Sequence, residues 1–598
     1  MFLWLALAIA GIFLWQRFAL PRFQAIDLSV NQFQAVDIAK RFLTVSRGFN
    51  VREYHTAAVF DVDEDADRYL QKTLGTASSQ RLVDRLQYDL FSWVVRFFKE
   101  QQKEEFKVIV SSKTGEVIGF FHDIEDTAMR APVDKEKARQ SALDFLKQQS
   151  GFDPARHALH REDAKKFDNR MDYTFSWEAK GIDIPWDKKY GGGNARLLTT
   201  VVVSGDEVRS FDKFRLDIPE GFGRTIDNLK QTGQNLTLVF RLLYLGLLTI
   251  AIMMVVNRKH HIIPRMVKPF YVRIGVGFFL LMVVEALNGH QYLLFEYPTS
   301  RSFFDYVLRE FLQGLISPFF IALGFILPAL AGESLRFEIA PGHKAGGFLS
   351  PVLSSFYSRP VAKQICVGYA FAAFILGAQA LVFEAGRRYC GVWDELSWLT
   401  QASTHMFPAL TVFLIGFQAS FSEEIMFRLF AVYLLRKYGL AGIGAVVVSA
   451  VMWGFGHTGY AIFPMWFRGL EVSCLGIILG VAYLRYGLVT VITAHFLMDS
   501  FLGALPYLLR PRVSFDFCSA LMVIALPFLL AGIAFVRNKS VRERPWVARF
   551  TPQQQFNYGL LAELCRAKTD GQLKIFKQDL VRHGWDPVVV GRAFLDRP

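Results

Sequence analysis

Across 598 residues there are only five cysteines, Cys366, Cys390, Cys474, Cys518 and Cys565, and no two of them share CxxC spacing. That excludes a thioredoxin-like redox motif and a zinc knuckle, and the total is far too low for a disulfide scaffold. HExxH is absent, which removes the usual signature of a helical zinc protease. Charge is scarce as well: 20% of residues are charged against 52% hydrophobic. The net charge is +13, but the Lys and Arg cluster beside apolar runs. They read as flanks of membrane segments, so no nucleic acid partner is expected. The opening apolar run, Phe2 to Trp15, lacks a basic leader and a small-residue cleavage site, so it reads as an uncleaved anchor over 1–23.

What the chain does have is long apolar runs, at roughly 235–256, 270–289, 310–331, 364–384, 406–432, 440–458, 467–485, 488–507 and 516–536. Several reach the ~20 residues that cross a bilayer core. The expected fold class is a multi-span α-helical membrane protein of about ten transmembrane helices with an extracytoplasmic duplicated α+β domain. Basic connections at 257–268, 435–439 and 536–544 are expected on the cytoplasmic side. That places 24–232 outside and both termini inside, in what reads as a bacterial cytoplasmic membrane. Arg387, Arg388, Arg510 and Arg512 run against that orientation. The segments are then an anchor (1–23), a soluble domain (24–232), leading helices (233–404), a core (405–507), a last helix (508–536) and a basic helical tail (537–598).

The duplication is legible at constant offset. AVDIAKRFLTVSRGFN (35–50) matches ARQSALDFLKQQSGFD (138–153) at Ala35/Ala138, Ala39/Ala142, Phe42/Phe145, Leu43/Leu146, Gly48/Gly151 and Phe49/Phe152. The spacing is helical, and the Gly stands where a helix C-terminus wants a left-handed residue. FSW recurs at 91–93 and 175–177, and 107–120 pairs loosely with 199–211, each reading as strand, turn, strand. Each unit is expected to be one helix followed by an antiparallel meander. This arrangement resembles tandem PepSY-like domains.

Charges inside apolar helices are costly and therefore informative. Arg241 and Glu285 sit near mid-span, and Arg468 and Glu471 are spaced to pair on one helix face; structural pairing is the plainer reading for all four. SFSEEIMFRLF (420–430) is different. Glu424 and Arg428 are i,i+4 and should meet, whereas Glu423 points about 100° away round the helix. That leaves Glu423 without a partner on its own helix, in a setting that raises a carboxylate's proton affinity and suits a general base. WGFGH (453–457) places His457 at the end of the next apolar helix, one turn after Trp453. HFLMD (495–499) places His495 and Asp499 on one face of a third.

EExxxR, then an aromatic four residues before His, then HxxxD, in this order on successive membrane segments, resemble the CPBP family of intramembrane proteases. That family takes in CAAX prenyl endopeptidases and bacteriocin-processing and immunity-type (Abi) membrane proteins. The resemblance covers about 405–507. It implies glutamate-dependent peptide hydrolysis in which Glu423 activates water, His457 helps hold it, and His495 with Asp499 stabilises the oxyanion. Glu424 and Arg428 would be structural support. The substrate implied is a membrane-associated protein or peptide in the lipid bilayer, with no cofactor and no metal.

Leu429 stands where the family often has Gly, Trp453 where it often has Phe, and Asp499 where the eukaryotic prenyl proteases carry Asn. A carboxylate cannot donate unless protonated, so Asp499 is expected to orient His495. Three rival readings stand beside this one. Glu423, His457 and His495 are a possible zinc set; buried charges suit a proton-coupled transporter; and a non-catalytic receptor or immunity protein can keep the same fold.

Overall fold

The structure is a computed structural model, and it describes residues 2–23, 26–150, 152–257, 267–339, 356–509, 514–538, 552–566 and 570–595. Gly151, Arg510, Arg512 and most of the basic connection at 257–268 lie outside the described residues. In chain order the elements that matter most are α1 (Phe2–Phe18), α2 (Gln32–Arg41), α3 (Lys135–Ser150), α4 (Glu220–Asn257), α5 (Val267–Asn288), α6 (Ile316–Ile339), α7 (Arg359–Cys390), α8 (Pro408–Glu423), α9 (Gly442–Phe455), α10 (Met465–Tyr486), α11 (Leu488–Leu508) and α12 (Phe515–Arg537).

Residues 26–217 build one antiparallel sheet in the order β1 (His55–Val62), β2 (Phe91–Phe98), β3 (Glu105–Ser111), β4 (Val117–Asp123), then β9 (Glu207–Asp217), β8 (Asn194–Ser204), β6 (Met171–Ala179) and β5 (His157–Lys166). The short β7 (Ile184–Pro185) pairs with β8. Each half is a helix plus a four-stranded meander, and the halves meet where Phe120 faces Phe211 across β4 and β9. The repeated Ala35/Ala138, Ala39/Ala142 and Leu43/Leu146 are all buried. Small residues at helical spacing let α2 and α3 lie close to the sheet. Burial alternates along β8, as a period of two requires. Gly48 has φ +75° just past its helix, the left-handed value that suits glycine. The first half departs from a plain meander: two helices, Glu64–Leu74 and Thr76–Leu86, are inserted between β1 and β2.

At the junction of the halves a small cavity of about 30 Å³ is lined by Asp61, Asp63, Asp89, Asp212, Lys213 and Arg215, among others. Burial is the main cause that pushes Asp212 up to about 6, with Arg215 opposing and Asp63 adding to it. The folded protein therefore holds a proton between about pH 4 and 6 that the unfolded chain has released, and stability falls as pH rises through that window. Asp212→Asn is expected to gain roughly 1–3 kcal/mol at pH 7 and nothing at pH 3.5. Thermal melts of the whole protein in detergent at both pH values check this.

The inserted helix Glu64–Leu74 explains how the sheet domain sits on the membrane helices. Arg68 is buried and hydrogen-bonds Glu395, also buried, in the segment between α7 and α8. Arg22 joins Asp67 Oδ2 and the Asp394 carbonyl, both at 2.9 Å, and Gln71 Nε2 donates to the same carbonyl at 2.6 Å. The outer edge of β1 is covered as well. Phe60 N donates to Thr404 Oγ1 at 2.9 Å and Ala58 N to Gln291 Oε1 at 3.0 Å. An edge strand that would otherwise invite pairing is thereby closed.

The protein is a helical membrane protein with a separate α+β domain. Among the described residues seven helices are long and apolar enough to cross a membrane: Glu220–Asn257, Phe303–Arg336, Arg359–Cys390, Pro408–Lys437, Met465–Tyr486, Leu488–Leu508 and Phe515–Arg537. Two shorter apolar helices and α5 stand beside these seven among the described residues, which together match the roughly ten that the apolar runs mark. Trp4–Phe18 and Gly442–Phe455 are shorter apolar helices, the second cut off by the loop that carries His457. The run at 270–289 forms α5. The tail makes three helices, Pro552–Arg566, Asp570–Arg582 and Pro587–Leu595, around Leu561, Leu580, Val589 and Val590.

Candidate active site

Four helices come close because small residues let them approach. A Cβ on Gly416 of α8 would come within 2.2 Å of Ser500 Oγ on α11, and one on Gly454 of α9 within 2.2 Å of Ser473 Oγ on α10. Close contact of this kind replaces the hydrophobic drive that helices lack inside lipid. Immediately after Glu423 the chain changes pitch, and Glu424–Ala431 is a π-helix, where the residue spacing alone predicts a regular α-helix. Such wide turns cluster at functional sites and free backbone groups; here Ser449 Oγ on α9 donates to the Phe427 carbonyl at 2.6 Å.

Glu424 and Arg428 still meet, with Nη1 3.0 Å from Oε1. The contact is an ion pair by distance and not a directed hydrogen bond, for Arg428 Nη1 and Glu424 Oε2 both lack a hydrogen-bond partner among the described residues. Glu424 Oε1 instead accepts from His495 Nδ1 at 2.8 Å. The two charges thus do not simply satisfy one another, because the carboxylate is shared with α11.

Helical spacing leaves Glu423 without a partner on its own helix, and its contacts come from other helices. Trp453 Nε1 donates to its Oε2 at 2.5 Å. His457 Nε2 stands 3.8 Å from Oε1, and His495 Nε2 stands 3.9 Å from Oε2. The His457 ring is fixed at the other nitrogen, where Nδ1 donates to the Trp453 carbonyl at 2.8 Å. A carbonyl only accepts, so Nδ1 carries a proton and Nε2 is the nitrogen that faces Glu423. His495 Nε2 also lies 3.4 Å from Asp499 Oδ2. With carboxylates at both ring nitrogens, His495 can donate from each.

Exposure separates two layers. Glu424, Arg428 and His495 side chains are at most 5% exposed, whereas Glu423, His457 and Asp499 keep 18–27%. The inner layer fixes geometry, and the outer one is open to a reactant. Trp453 joins the layers: its ring centre lies 4.2 Å from the Arg428 guanidinium while its N–H holds Glu423. In the sequence Trp453 stands out only as a motif aromatic. An indole N–H in a membrane helix must find an acceptor, and Glu423 is the acceptor that lacks a donor on its own helix. Among the described residues no group of three or more His, Cys, Asp or Glu side chains is arranged to hold a metal ion. Of the other membrane charges, Arg468 pairs with Glu471 at 2.6 Å, Glu285 with His405 at 3.0 Å, and Arg241 is exposed.

The site gathers carboxylates, two imidazoles and an arginine from three segments of the membrane helix bundle. Residues 405–501 match the family described as type II CAAX prenyl endopeptidase Rce1-like, which supports an intramembrane protease role. Over 529 residues the chain is 24% identical to the sporulation-killing factor biosynthesis protein SkfC of Bacillus subtilis (strain 168), covering 84% of this chain and 94% of that protein. That likeness extends well beyond the core. No solved structure matches.

Proposed function

We propose that the protein is an intramembrane endopeptidase of the glutamate type, cleaving a membrane-associated protein or peptide. What carries the reading is the convergence of His457 and His495, from two other helical segments, within 4 Å of the Glu423 carboxylate. The gaps of 3.8 and 3.9 Å are too long for direct hydrogen bonds and suit a water between the groups.

In the proposed reaction Glu423 takes a proton from that water, which His457 Nε2 helps hold, and the oxygen attacks the peptide carbonyl. The oxyanion of the tetrahedral intermediate accepts from His495, a type of stabilisation that is often the largest single contribution. Asp499 orients the His495 ring. Glu423 returns its proton to the leaving nitrogen, the C–N bond breaks, and a carboxylate and an amine result. Glu424 and Arg428 hold the inner layer.

The orientation is part of the same proposal. Glu395 and Thr404, on the segment ahead of α8, touch the sheet domain, so Arg436 and Lys437 mark the far end of that helical segment. Basic ends favour the cytoplasm, which puts residues 24–232 outside and the termini inside. Arg387 runs against the rule, but it pairs with Glu384 and donates to the Phe18 carbonyl. We propose also that the sheet domain screens what reaches the site. A relative named for biosynthesis of a killing factor fits a peptide or protein product.

The test compares new peptide termini in membranes of cells making the wild-type chain or Glu423→Gln. Termini that appear only with the wild type, within or beside apolar segments, are expected. Identical sets of termini would contradict proteolysis.

A further inference from the structure

A buried ion pair beside the site has no role in the scheme above. Glu471 on α10 is fully buried and accepts from Arg468 Nη1 at 2.6 Å and from Gln379 Nε2, on α7, at 2.9 Å. Two charges and an amide in a membrane helix bundle are costly unless they fix something. The Arg468 guanidinium faces outward from that anchor, 5.5 Å from the centre of the Tyr460 ring, within cation–π range. The Tyr460 ring in turn lies nearly parallel to the His457 imidazole, at 5.7 Å and 14°.

Tyr460 belongs to the loop between α9 and α10, and that loop is pinned. Thr458 Oγ1 meets Thr237 Oγ1 at 3.0 Å and the Gly233 carbonyl at 3.3 Å, and Ile462–Phe463 pairs with Trp393–Asp394. His457 itself has one directed side-chain hydrogen bond among the described residues, from Nδ1 to the Trp453 carbonyl. A single bond leaves the ring free to tilt about it. Trp453 stands edge-on to the ring at 5.4 Å and 76°, and Tyr460 lies along its face. Together they fix the direction of Nε2.

We propose that Tyr460 is a positioning residue for the hydrolysis put forward above, on which this inference rests. Its ring sets the plane of the His457 imidazole, and the Gln379–Glu471–Arg468 array holds that ring in place. Tyr460 is 53% exposed, and its contacts to His457 and Arg468 are made by the ring, so the ring is the working part. Phenylalanine therefore suffices and an aliphatic side chain does not.

The experiment uses full-length protein in liposomes and a fluorogenic peptide built on a cut sequence from the terminus comparison. Tyr460→Phe is expected to keep kcat within about twofold, and Tyr460→Leu to lower kcat about tenfold with KM unchanged, one tenfold being a modest misplacement of a single group. The neutral pair Arg468→Met/Glu471→Gln, which avoids stranding a buried charge, is expected to lower kcat comparably and to add nothing to Tyr460→Leu. Diethyl pyrocarbonate labelling of His457, read by mass spectrometry, is expected to speed up in Tyr460→Leu and not in Tyr460→Phe. Wild-type kcat in Tyr460→Leu, an effect on KM alone, failure of Phe to rescue, or additive losses would each overturn the proposal. Glu423→Gln is run alongside. Cleavage that survives in it breaks the reading of the reaction, whereas an inactive Glu423→Gln beside a fully active Tyr460→Leu removes only the role of Tyr460.

Discussion

Glu423→Gln is expected to lower peptide cleavage by about 10²–10⁴-fold, the usual contribution of a positioned general base. The change is nearly isosteric. The glutamine carbonyl can still accept from Trp453 Nε1, which holds the acid at 2.5 Å, so the melting temperature in detergent should stay within a few degrees. The loss should fall on kcat, because the amide cannot take the proton of water while leaving the outer layer of the site in place. Glu423→Asp should also be poor. It keeps the charge but withdraws the carboxylate by one methylene, and misplacement of about 1 Å can cost about 10²-fold. Measuring turnover and melting temperature on the same preparations separates lost chemistry from lost fold.

The second large effect lies one residue on. Glu424 is fully buried and Arg428 nearly so, at 0% and 2% exposure of their side chains. Removing either partner alone strands the other charge among apolar side chains, and breaking a buried pair costs about 3–5 kcal/mol. Glu424→Ala and Arg428→Ala are each expected to cut the yield of folded protein severely. Glu424→Ala should do more harm, since it also removes the acceptor of His495 Nδ1. The double variant Glu424→Gln/Arg428→Met keeps volume and removes both charges, and it should be more stable than either alanine variant while staying poorly active. Thermal melts of Glu424→Gln, Arg428→Met and their double form the cycle. Equal, additive losses would show that the two charges do not depend on one another.

Part of this site is legible in the amino-acid sequence. The ordered motifs can be read because helical spacing fixes which side chains share a face: Glu424 with Arg428, and His495 with Asp499. The soluble duplication can be read because Ala35, Ala39 and Leu43 recur as Ala138, Ala142 and Leu146 at one offset. What stays hidden is everything that depends on contact between helices. The π-helix at Glu424–Ala431 is not written in the residue spacing, and the Phe427 carbonyl in it is taken up by Ser449 of another helix. Glu424 sharing its oxygen with His495, and Trp453 bridging Arg428 and Glu423, are contacts across 25 to 71 positions of sequence. The helices inserted between β1 and β2 look like generic polar helix, and contacts such as Arg68 meeting Glu395, 327 positions away, show what the first of them holds. The ends of the membrane helices stay hidden for a simpler reason, since an apolar run records composition and not where a helix ends. His457 lies two residues beyond the end of α9, so the run at 440–458 includes part of a loop.

Water activation by Glu423 is tested most directly with isotopic oxygen. The purified full-length protein turns over the fluorogenic peptide many times in H₂¹⁸O, and mass spectrometry then reads the product carboxyl group and the enzyme peptide that contains Glu423. If Glu423 acts as a base toward water, each new product carboxylate carries one ¹⁸O from solvent and the Glu423 peptide keeps its mass. Accumulation of ¹⁸O in the Glu423 carboxylate would mean that the side chain itself attacks the carbonyl, and would contradict the mechanism.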